Sequence, residues 1–73
     1  MIDYNLQAKA LLEAAQALKN AKRNKSGTIN GNAITPIMRK LSKALIESGE
    51  ESNEAFRMTW ELINKYRKNP DQK

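Results

Sequence analysis

Neither His nor Cys occurs in this 73-residue chain, so the side chains able to move a proton or attack a substrate are those of Lys, Asp, Glu, Ser, Thr and Tyr. Without imidazole there is no side chain that titrates near neutral pH unperturbed, and the common zinc ligand sets cannot be assembled. Gly27 and Gly31 are not followed by Lys-Ser or Lys-Thr at the spacing of a phosphate-cradling loop. The pair Glu50-Glu51 falls at a turn and reads as solvated, and so small a chain leaves little room for a cleft. The sequence therefore predicts no catalytic residue, no cofactor, no metal and no small-molecule substrate.

What remains is the chemistry of charge and of apolar surface. Thirteen Lys and Arg stand against eight Asp and Glu, giving a formal charge of +5. A basic surface attracts polyanions, with phosphates as the strongest class. Lys22, Arg23, Lys25, Arg39, Lys40, Lys43, Lys65, Arg67 and Lys68 are the candidate contacts to nucleic acid or to an acidic protein surface, with Arg39, Lys40 and Lys43 foremost. Against this stands the plain reading that cations near helix C-termini complement the helix dipole, at about 0.3–1 kcal/mol each. A rival function uses apolar anchors. Leu6, Ile46 and Trp60 fall outside the main apolar stripes, and large aliphatic and aromatic residues anchor protein interfaces. That reading makes the chain a protein-interaction module, a small inhibitor or assembly factor, with a second copy of itself or a foreign protein as partner.

The elements that must position these residues are helices. Val is absent and nine of the apolar residues are Ala, a composition that favours helix over sheet. Asp3 can cap a first helix over about residues 4–24, with Tyr4, Ala8, Leu11, Ala15, Leu18 and Lys22 on one face. A second stripe, Leu6, Ala10, Ala14, Ala17 and Ala21, then looks like spare surface. The segment 26–35 (SGTINGNAIT) is rich in turn residues and reads as a long loop pinned by Ile29 and Ile34. Thr35-Pro36 is a helix-start signal, so the second helix is expected over 36–48, with Ile37, Leu41, Ala44, Leu45 and Ser48 inward. The third is expected over 52–69, on a face of Ala55, Phe56, Thr59, Leu62, Ile63 and Tyr66, followed by a frayed tail over 70–73.

The expected architecture is thus a single all-α domain, a small three-helix bundle with a long first connection that could pair as a helical homodimer. Apolar runs are far shorter than the roughly 20 residues of a membrane helix. The opening Met1-Ile2-Asp3-Tyr4 lacks the pattern of an export signal, and a cytoplasmic location is the expectation. In an up-down-up bundle the ends of helices one and three meet the start of helix two. The candidate cations, with Lys19, would then gather at one pole and Asp3, Glu47, Glu50, Glu51 and Glu54 at the other. The short join at Gly49 also allows a helix-turn-helix, but three glutamates crowd the end of the third helix that would meet bases.

Overall fold

A computed structural model describes residues 1–67, which form three helices: α1 (Tyr4–Asn20), α2 (Gly31–Glu47) and α3 (Ser52–Arg67). Each helix packs against both others, so the three-helix bundle expected from the spacing is what the chain forms. Among the described residues no helix is long and apolar enough to cross a membrane. Lys68, the expected helix end at Asn69 and the tail 70–73 lie outside the described residues.

The capping of α1 follows the sequence, because Asp3 Oδ1 accepts from the Leu6 N–H at 3.1 Å. Its end does not. The helix stops at Asn20 rather than Asn24, and Ala21 turns extended with its N–H on the Leu18 carbonyl. Residues 22–29 instead fold into a miniature antiparallel hairpin, with Arg23 bridged to Ile29. The Asn24 N–H donates to the Thr28 carbonyl at 2.7 Å and the Gly27 N–H to the Asn24 carbonyl at 2.9 Å. Gly27, at φ +86°, takes the left-handed position that such a three-residue hairpin loop requires. Another helical turn through Lys22, Arg23 and Asn24 would bury little, whereas the hairpin buries Ile29 to 3% exposure.

The second helix starts five residues earlier than the proline signal suggests. Asn30 is its cap, accepting from the Asn32 N–H at 2.9 Å, so residues 31–35 of the expected loop are helical. Pro36 consequently sits inside α2, where it cannot donate to the Asn32 carbonyl. The extra turn carries Ala33 and Ile34 onto Leu18, Ile29 and Ile63, and that burial outweighs the missing bond.

At the other end of α2 a Schellman pattern closes the helix: Gly49 N–H to the Ile46 carbonyl and Glu50 N–H to the Leu45 carbonyl. Gly49 has φ +106°, and a Cβ there would lie 3.0 Å from the Met1 carbonyl oxygen. The chain's N-terminal segment crosses this turn, with the Asp3 N–H donating to the Ser48 carbonyl at 2.8 Å.

The core has two layers. Ala10, Ala14, Leu41, Leu45 and Ala55 form one; Leu18, Ile29, Ile34 and Ile63 form the other, nearer the hairpin. Leu18, Leu41, Leu45 and Ile63 are buried almost completely, each contributing about 1.5–3 kcal/mol. The buried residues of α1 are therefore Gln7, Ala10, Ala14 and Leu18; of the stripe beginning at Tyr4, Leu18 is buried and Leu11 packs on the core, while Tyr4, Ala8 and Lys22 are exposed. Alanines that look like spare surface are core because their small size lets Leu41 and Leu45 of α2 fill the space beside them. Gln7 donates to Glu50 Oε2 at 2.9 Å, and the Thr59 hydroxyl donates to the Ala55 carbonyl at 2.7 Å while meeting Ser42 Oγ at 3.1 Å. Every buried side-chain polar atom among the described residues has a partner.

Candidate polyanion interface

One backbone tie and one side chain assemble the end of the bundle where α1 and α3 finish and α2 begins. The Ile29 N–H donates to the Arg67 carbonyl at 3.2 Å, docking the hairpin on the last turn of α3. Arg23 spans the same junction, donating from Nη1 to the Gly27 carbonyl at 2.6 Å and from Nη2 to the Tyr66 carbonyl at 3.1 Å. Its planar fork satisfies a carbonyl of the hairpin and an orphan carbonyl of the α3 terminus together. Arg23 was a candidate for outward binding, and the structure commits its guanidinium to holding this end together.

Lys19, Lys22, Lys25, Lys65 and Arg67 share this end and are exposed. Asp3, Glu47, Glu50, Glu51 and Glu54 occupy the start of α1, the end of α2 and the start of α3, at the opposite end of the bundle. Among the described residues the ion pairs are those of Arg57 with Glu54 and Glu61 alone, so the five cations carry no carboxylate partner there. The dipole argument accounts for Lys19, Lys65 and Arg67, each in the last turn of a helix. Lys22 and Lys25 stand on the hairpin and gain nothing from it.

The foremost candidates are placed differently from expectation. Because α2 begins at Gly31, Arg39, Lys40 and Lys43 lie along its middle and second half instead of at its start. At 1.5 Å per residue they sit about 12–18 Å from the pole they were expected to join. Lys40 borders a shallow groove between α1 and α2 with Ala10, Glu13, Ala14 and Ala17. Arg39 and Lys43 border a different groove, between α2 and α3, with Met38, Ser42, Ile46, Glu47 and Phe56.

The three apolar anchors separate likewise. Leu6, Ile46 and Trp60 are all part-exposed, at 36%, 47% and 40%. Ile46 lines the α2–α3 groove, and Trp60 lies one turn beyond Phe56 on the same side of α3. Leu6 belongs to α1, which takes no part in that groove. Phe56, expected inward, is 53% exposed. The Phe56–Trp60 spacing of four was the signal, since it puts both rings on one edge of the helix.

At the acidic end, Arg57 donates through Nε to both carboxylate oxygens of Glu54 at 2.9 Å and through Nη1 to Glu61. The Arg57 hydrogen bond holds the Glu54 carboxyl below its ordinary range, and Glu54 in turn raises the guanidinium. Arg57 thus pairs with carboxylates of its own helix, and Tyr66 is packed against the Leu18–Ile63 layer. No group of three or more His, Cys, Asp or Glu that could hold a metal exists among the described residues. Comparison of the chain with protein-family models, with known proteins and with solved structures gives no match.

Proposed function

We propose that this protein is a non-enzymatic binding module whose hairpin end holds a nucleic-acid backbone without reading its sequence. The observation that carries this is the convergence of Lys19, Lys22, Lys25, Lys65 and Arg67 on one end, unpaired among the described residues, with five of the chain's eight carboxylates at the other. Phosphates are what such exposed cations neutralise, and each one neutralised releases counterions. Base reading has no support, because α3 presents a glutamate-rich N-terminus with Arg57 paired to Glu54 and Glu61.

Fluorescence anisotropy with labelled single-stranded and duplex DNA and with RNA, from low to physiological salt, tests this. Binding is expected at low salt, nearly independent of sequence, with affinity falling linearly in log–log form as salt rises. Lys22→Glu/Lys25→Glu is expected to abolish it, while Lys9→Glu/Lys40→Glu, an equal change of charge away from this end, retains most of it. Absence of binding to all three probes at low salt overturns the proposal. Equal losses in the two double variants also overturn it, by showing that net charge alone matters.

A further inference from the structure

The groove between α2 and α3 is independent of the basic end. It has an apolar floor of Met38, Ile46 and Phe56, edged by Arg39, Lys43 and Glu47. Ile46, Phe56 and Trp60 expose large side chains on this side, and the part-buried Met38 lies beside them. Single exposed apolar residues mean little, but a contiguous set on one face marks an interaction surface.

The order of charge along the groove indicates the occupant. From the N-terminal to the C-terminal side, the edge of α2 along the groove runs Arg39, Lys43, Glu47. The edge is cationic at its Arg39 end and anionic at its Glu47 end. Such a face complements its own copy when that copy is turned end for end, which is the operation of a two-fold axis. An axis crossing α2 near Lys43 sets Arg39 of one copy opposite Glu47 of the other, twice over. Lys43 then approaches its own counterpart on the axis, with the two Glu47 carboxylates flanking the pair. The apolar floor of each copy faces the other's, so Ile46, Phe56 and Trp60 leave water together. A core in which Ala10, Ala14 and Ala55 supply much of one layer is small for a free-standing domain, and association adds the burial it lacks.

We infer that the α2–α3 face is an antiparallel, two-fold interface between two copies of this chain. It leaves the hairpin ends at opposite extremes of the dimer, so dimerisation and the proposed nucleic-acid binding use separate surfaces. Sedimentation equilibrium from micromolar to millimolar concentration tests it. The wild-type chain is expected to move from monomer to dimer across that range, and Phe56→Glu to remain monomeric with its helical circular dichroism intact. Arg39→Glu and Glu47→Arg should each weaken the dimer roughly tenfold, because symmetry counts every lost pair twice. Arg39→Glu/Glu47→Arg, which restores the pairing in reversed sense, should recover most of the wild-type affinity. A wild-type chain that stays monomeric at millimolar concentration overturns the inference. So does a double variant no tighter than the singles, which points to association on another face or to a foreign occupant. Nucleic-acid binding by the monomeric Phe56→Glu variant would leave the functional proposal standing whatever the fate of the dimer.

Discussion

Substituting Pro36 by Ala distinguishes the observed start of α2 from the one its sequence signals. Were the helix to begin with Thr35 as cap, Pro36 would hold the first helical position, where its absent N–H costs nothing and its fixed φ is favourable. Alanine there would be neutral or slightly destabilising. In the structure Pro36 is the sixth residue of α2, and its N–H would have served the Asn32 carbonyl. Interior proline is about 3 kcal/mol less favourable than alanine. Two features reduce that cost here. Only one turn precedes the proline, and Thr35 Oγ1 donates back to the Gly31 carbonyl at 3.2 Å, supporting that turn. Alanine also returns about 0.4–1 kcal/mol of freedom to the unfolded chain. The net expectation is a stabilisation of about 1–2 kcal/mol, equivalent to a rise in Tm of roughly 4–16 °C for a domain of this size. Urea and thermal unfolding followed at 222 nm measure both, with the urea slope checked for constancy so that the change reads as stability. Unchanged or lowered stability in Pro36→Ala would refute the reasoning and return residues 31–35 to the loop.

Substitutions at three further positions probe the other contacts. Gly49→Ala forces a side chain into φ +106° and brings its Cβ to 3.0 Å from the Met1 carbonyl; a loss of about 1–3 kcal/mol by urea unfolding is expected, and a neutral result would show that the N-terminal segment does not cross the turn. Arg23→Met keeps the aliphatic stem but removes both hydrogen bonds, and should cost about 1–3 kcal/mol while accelerating amide exchange at Ile29; full retention of stability by Arg23→Lys would argue against the forked geometry. Because the folded pKa of Glu54 lies below its unfolded value, its contribution is complete above the ordinary glutamate range and is lost as pH falls through the folded value. Glu54→Gln should therefore flatten the acid limb of helicity against pH, an effect kept small by solvent at this exposed site; an unchanged acid limb would count against the pairing.

What could be read from the sequence was what periodicity and caps encode: three helices, the Asp3 cap, the inward face of α2, and the stop at Gly49. The boundaries around the first connection were not legible, because the local signals there point the wrong way and are overruled at a distance. Asn30-Gly31-Asn32 has turn composition and Thr35-Pro36 is a start signal, yet Ile34 reaches Leu18 and Ile63 only if the turn before the proline is helical. Ala10 and Ala14 carried the same ambiguity, since alanine is both the best surface helix former and the residue that lets two helices approach. Only the position of Leu41 and Leu45 on the neighbouring helix decides between them. The consequence for the candidate site is direct. Moving the start of α2 by five residues shifts Arg39 and Lys43 from the basic pole to the rim of an apolar groove, where their order with Glu47 acquires a meaning that no count of charges contains. A net +5 spread over the chain cannot distinguish a phosphate-binding end from a self-complementary face. With the helix boundaries fixed, the hairpin lysines are assigned by proposal to the first and the α2 ridge to the second, so charge reversals at the two places should fail in different assays.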